Sequence, residues 1–93
     1  MIASFADRDT ETIWKGFRTR KFREPVAQRA LVKLRIIDSA KTLEDLRSPP
    51  GNRLEALKGD RNRQHSIRIN DQWRICFRWH EGSAHDVEIV DYH

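Results

Sequence analysis

The sequence predicts an α+β fold in which two N-terminal helices pack on one face of a small, mainly antiparallel sheet. Three observations lead there. Apolar residues recur at three- and four-residue spacing in the first half of the chain, the last third alternates with a period of two, and short turn-forming segments separate the alternating runs. With 93 residues, 38% of them apolar and 34% charged, the chain has material for one small core, so a single domain over residues 1–93 is expected.

The elements follow in order. Residues 2–5 are a short strand candidate, stopped by Asp7 and Asp9. Either aspartate suits the cap of a helix whose first turn carries Glu11, because a carboxylate there accepts from free backbone N–H groups and offsets the positive end of the helix dipole. Ile13, Trp14 and Phe17 supply the apolar side of this helix. A second helix begins at Pro25, whose missing N–H costs nothing in a first turn. Ala27, Ala30, Leu31, Leu34 and Ile37 then form one buried stripe, with Arg29 and Lys33 away from its centre. The following segment, residues 42–52, ends in Ser48-Pro49-Pro50-Gly51-Asn52, which excludes helix and central strand and reads as a rigid loop.

Leu54-Glu55-Ala56-Leu57 alternates as a strand, and residues 58–63 supply turn chemistry. Ile67 and Ile69 alternate with Ser66, Arg68 and Asn70, and Asn70-Asp71 makes the next turn. Beyond it, Trp73, Ile75, Phe77 and Trp79 share one face and Arg74, Cys76 and Arg78 the other. The aromatic face belongs against the helices, so Arg74 and Arg78 are expected to project from an open face. Glu81-Gly82-Ser83 closes a further hairpin, and Val87-Glu88-Ile89-Val90 pairs back before Asp91-Tyr92-His93.

Charge narrows the partner. The net charge is +4, and it is unevenly spread. Arg18, Arg20, Lys21, Arg23, Arg29, Lys33 and Arg35 face one acid, Glu24, while Arg53, Lys58, Arg61, Arg63, Arg68, Arg74 and Arg78 face Glu55, Asp60 and Asp71. Two such clusters on a short chain point to a polyphosphate surface. No apolar run approaches the ~20 residues that cross a bilayer, and the N-terminus lacks signal-peptide features, so a cytoplasmic protein without membrane contact is expected. The single cysteine, Cys76, excludes an internal disulfide and reads as a packed thiol in a reducing compartment.

An open face carrying Arg68, Arg74 and Arg78 beside Lys58 needs a counter-charge, from Glu88 and Asp91, from a bound anion, or from a lattice of surface ion pairs. Cleaving RNA by acid–base chemistry needs a group to take the 2′-hydroxyl proton, a group to protonate the leaving 5′-oxygen, and cations for the charge on phosphorus. His93 titrates near neutrality, Tyr92 carries a phenolic proton, Asp91 is suited to orienting His93, and Lys58 and Arg74 suit phosphoryl oxygens. His65, His80, His85 and His93 lack zinc-site spacing, no glycine-rich phosphate loop or nucleophile elbow is present, and neither a metal nor an organic cofactor is expected. In an ideal strand Asp91 and His93 face away from Tyr92, so joint action of all three requires the chain end to twist or leave the sheet.

From Pro49 to Arg61, from His65 to Trp79 and from Val87 to His93, the sequence resembles the HigB killer proteins, toxins of type II toxin-antitoxin modules in the RelE/ParE superfamily. The resemblance implies the RelE/ParE-like fold and a ribosome-dependent mRNA endonuclease, with a HigA-type helix-turn-helix antitoxin, the ribosome and mRNA as partners and a heteromeric toxin-antitoxin complex. It carries Asp91, Tyr92, His93, Arg74 and Lys58 over as catalytic positions. Some HigB-like toxins place a histidine in the strand before that lysine, where this chain has Glu55, so that acid–base role passes to Glu55 or to the C-terminal residues. Arg18, Arg20, Lys21, Arg23, Arg53, Arg61, Arg63, Arg68 and Arg78 are the expected RNA and ribosome contacts. A ParE-like gyrase poison and a non-catalytic nucleic-acid-binding protein are the competing readings, and the terminal Asp-Tyr-His favours the nuclease over both.

Overall fold

The computed structural model describes residues 1–92; His93 lies outside the described residues. Helix α1 (Arg8–Trp14) is capped by Asp7, whose carboxylate accepts the Thr10 N–H at 3.2 Å. It ends early, because the chain turns at Gly16 with φ +87°, a left-handed conformation that glycine adopts without a Cβ clash. Phe17 therefore leaves the apolar side expected for it and is 69% exposed, while Ile13 is buried. Thr10 ties α1 to the sheet. It is fully buried, and its hydroxyl accepts the N–H of Ile89 at 3.0 Å.

Helix α2 (Glu24–Ser39) has Pro25 in its first turn and buries Ala30, Leu34 and Ile37, with Ala27 and Leu31 packed at the margin of the same stripe. The connecting loop is held by two tight 3-10 turns, Leu43–Arg47 and Pro50–Asn52. A reciprocal cap between Thr42 and Asp45 starts the first. Asn52, fully buried, closes the second by donating to the carbonyls of Leu46 and Ser48, both at 3.2 Å. The loop expected to be rigid and non-helical thus includes two short 3-10 turns, and Pro50 is tolerated as the first residue of the second.

The sheet runs β1 (Glu55–Ala56), β2 (Gln64–Arg68), β3 (Trp73–His80) and β4 (Ser83–Asp91) in spatial order, every pair antiparallel. Only two residues of the alternating segment 54–57 pair, leaving β1 a short edge. Residues 2–5 form no strand; they make isolated parallel bridges, Ile2 to Ala84 and Phe5 to Val87. The reason lies in β4, where the pairing skips from Cys76–Glu88 to Arg78–His85 and Asp86 takes φ +53°. This bulge breaks the ladder that a continuous N-terminal strand would need. Ile67, Ile75, Phe77, Val87 and Ile89 bury one sheet face against Ile13, Ala30, Leu34 and Ile37. Trp73 and Trp79 are half-buried at either end of β3, Trp73 meeting Phe22 edge-on at 5.0 Å.

Candidate active site

The opposite face of the sheet is less open than alternation suggests. Arg74, expected to project into solvent, is only 5% exposed. Its Nε donates to Ser66 Oγ at 2.8 Å, and its Nη2 donates to the carbonyls of Arg53 at 2.7 Å and Ser66 at 3.4 Å. A buried cation is tolerated when hydrogen-bonded in this way. Arg53 delivers its carbonyl from a left-handed conformation, φ 46° and ψ 56°, at the end of the Pro50–Asn52 turn. Among the described residues no acceptor takes the remaining Nη1 edge of Arg74.

Two further side chains complete the cluster. The guanidinium lies 5.0 Å over the ring of Tyr92, and its Nη2 stands 3.9 Å from Glu55 Oε1. The Tyr92 hydroxyl donates to Glu55 Oε2 at 3.4 Å. Register explains the meeting, since Glu55 pairs with Ser66 and Arg74 with Val90, two residues before Tyr92. A carboxylate, a phenol and a fixed guanidinium, brought from β1, β3 and the end of β4, offer a proton acceptor, a proton donor and an anion-stabilising group in one place. Glu55 and Tyr92 stay about half exposed, so a substrate reaches both.

The other predicted positions fall elsewhere. Lys58 is exposed ahead of the Gly59–Arg61 turn, and among the described residues no hydrogen bond or ion pair joins it to the cluster. Asp91 pairs with Trp73 and accepts the Gln72 side-chain amide at 3.1 Å, so it sits on the face opposite Tyr92. His93, the third member of the terminal motif, lies outside the described residues. Ser66 escaped the sequence reading as a site residue. Its signal was there, a small hydroxyl on the same strand face as Arg68, where a fully buried serine needs a polar partner.

The counter-charge expected for the basic face comes largely from acids of the chain itself, Glu88 among them. Arg61 meets Glu88 at 2.6 Å, Arg68 pairs with Asp71, and Arg78 Nε lies 3.4 Å from Asp86. The hydrogen bond that Arg61 donates to Glu88 raises the Arg61 pKa, and burial raises that of the Cys76 thiol, keeping it neutral and packed rather than nucleophilic. Arg18 reaches Glu24 at 3.7 Å and Lys21 lies over Phe22 at 5.6 Å. Arg20, Arg23, Arg53 and Arg63 expose their side chains to solvent. Among the described residues no group of three or more His, Cys, Asp and Glu is placed to hold a metal ion, and no helix is long and apolar enough to cross a membrane.

The architecture superposes on a chain of the YoeB-YefM complex from Staphylococcus aureus with a TM-score of 0.63, covering 100% of this chain and 98% of that one at 16% identity. That likeness is one of fold, and the fold is the RelE-like α+β fold. Residues 3–93 match the family described as the RelE-like toxin of type II toxin-antitoxin system HigB, and the chain belongs to this HigB-like toxin family. Among its relatives, Toxin HigB-1 of Vibrio cholerae serotype O1 is 38% identical over 85 residues, 90% of either chain. Endoribonuclease HigB of Proteus vulgaris is 30% identical over 93 residues, the whole of both.

Proposed function

We propose that this toxin is an endoribonuclease that cuts mRNA on the ribosome, with residues 1–93 acting as one unit. The observation that carries the reading is the convergence of Glu55, Arg74 and Tyr92 on one sheet face. A full-length relative named as an endoribonuclease supports it. The 2′-hydroxyl oxygen of a ribose attacks the adjacent phosphorus while its proton passes to a base. The bond from phosphorus to the 5′-oxygen breaks, and an acid protonates that oxygen, giving a 2′,3′-cyclic phosphate and a 5′-hydroxyl. Glu55 serves as the base in this scheme, Tyr92 and His93 supply the acid, and the Nη1 edge of Arg74 takes the charge that builds on the phosphoryl oxygens.

The site is shallow and half-exposed, so ordering of the message by the ribosome supplies the alignment that a deeper cleft would otherwise provide. Lys58, Arg20, Arg23, Arg53 and Arg63, whose side chains are exposed, meet RNA phosphates. Membership of a toxin-antitoxin family supports a neutralising antitoxin, which we assign to the HigA type. Mapping the 5′ ends of cellular mRNA after brief induction tests the class: cuts in register with codons are expected, whereas intact message with damaged DNA would transfer the protein to the gyrase poisons. Glu55→Gln should slow cleavage by at least about 10²-fold, the range of general acid–base catalysis. A variant that cleaves at the wild-type rate would move the base to His93.

A further inference from the structure

The catalytic scheme makes no use of Arg29 and Lys33, which stand one helical turn apart on α2. Arg29 reaches the residue just past β2, and Lys33 reaches the Pro50–Asn52 turn that packs beside that strand. Arg29 Nε donates to the Ile69 carbonyl at 3.2 Å, and Lys33 Nζ donates to Asn52 Oδ1 at 2.5 Å. The amide of the buried Asn52 is committed to the Leu46 and Ser48 carbonyls, so its oxygen is left for the lysine. Lys33 is thereby placed by the fold rather than trailing in solvent. Arg68, next to Ile69 in sequence, brings a third cation. Burial lowers the Lys33 pKa from its ordinary value, and the charges of Arg29 and Arg68 lower it further. Among the described residues neither Arg29 nor Lys33 has an acidic partner, and Arg68 has only Asp71, whose side chain is 96% exposed. Three like charges gathered at a part-buried rim repel unless an anion is shared among them.

We propose that Arg29, Lys33 and Arg68 cradle one backbone phosphate of single-stranded RNA, next to the phosphate held at Arg74. The proposal rests on the nuclease reading and adds to it a second phosphate subsite. The two sites share one frame. Arg68 is the cross-strand partner of Arg74, and directly opposite residues stand about 5 Å apart. Asn52, which holds Lys33, is followed by Arg53, whose carbonyl holds Arg74. Donors converging from a helix and a strand suit a phosphate, which offers several oxygens to charge-assisted hydrogen bonds.

The test is binding of a short 2′-O-methylated single-stranded RNA, which cannot be cleaved, titrated over a range of KCl concentrations. Lys33→Met is expected to weaken binding and reduce the salt slope by about 0.7, the loss of one phosphate contact on a single strand, with Lys33→Arg restoring it. Arg29→Gln, at a position that does not support Asn52, should do the same, and thermal melting identifies any variant whose effect comes from loosening the loop. Unchanged affinity and slope in both Lys33→Met and Arg29→Gln would overturn the cradle, as would a wild-type protein that binds no RNA. Intact RNA affinity combined with lost antitoxin binding would also overturn it and hand the three cations to acidic side chains of the partner. Cleavage on ribosomes is scored separately. A protein showing the slope change while leaving message uncut keeps the cradle and loses the nuclease reading.

Discussion

Arg74 and Arg78 stand four residues apart on the same face of β3, and the fold uses them differently. Arg74 lies where β2 and β4 both pair in register, so neighbouring backbone and Ser66 close around it and fix its Nε and Nη2 hydrogen bonds. Arg78 lies past the β4 bulge, 43% exposed, with a long contact to Asp86. The same side chain on the same strand face is a preorganised anion-binding group at one end and a solvated ion pair at the other. Alternation assigns a face, but ladder continuity sets depth.

Breaking the core behind both arginines should have the largest effect. Phe77→Ala, on the opposite face and fully buried, is expected to cost about 3–5 kcal/mol of stability, read as a lower urea midpoint. Arg74→Ala should then lose on the order of 10²-fold in message cleavage, about 2.7 kcal/mol in the barrier, while the domain stays folded. Arg74→Lys should not rescue it, because an ammonium cannot reproduce the fork that bonds Ser66 and Arg53 while leaving an edge for phosphate. A smaller effect comes from His65, which stacks on Phe77 with its Nδ1 buried and unpartnered among the described residues. Burial lowers its pKa, so the unfolded chain binds more protons than the fold once pH drops below about 6.5. Stability should be full above that value and decline as pH falls toward the lowered folded pKa; urea melts of wild type and His65→Gln compared on either side of it check the sign. Smallest of all, Arg78→Ala should change stability by no more than about 0.5 kcal/mol in urea melts and leave cleavage nearly intact. A loss at Arg78 equal to that at Arg74 would erase the contrast between the two ends of the strand.

Much of the framework was legible in the residues, and the exceptions have physical causes. The stripe from Ala30 to Ile37 and the alternation of Trp73, Ile75, Phe77 and Trp79 identified the two buried surfaces that meet in the core. Phe17 misled because periodicity ignores where a helix stops, and Gly16 stops it first. The need for counter-charge on the basic face was legible, but which acid serves which arginine is local only for Arg68 and Asp71; Arg61 takes Glu88 from 27 positions away and Arg78 takes Asp86 from the neighbouring strand. Of the positions carried over by resemblance, Arg74 and Tyr92 meet, together with Glu55, while Asp91 bonds Gln72 on the other strand face and Lys58 is exposed.

The sequence alone determined the layered α+β plan, the faces of β3 and the family, because periodicity and contiguous motifs are local properties of a chain. The tertiary structure decided the depth of Arg74, the service of Ser66 and the Arg53 carbonyl as its holders, and the approach of Tyr92 to Glu55, 37 positions away. Those depend on strand register, a bulge and one left-handed residue. Each is an outcome of long-range packing that no window of neighbouring residues contains.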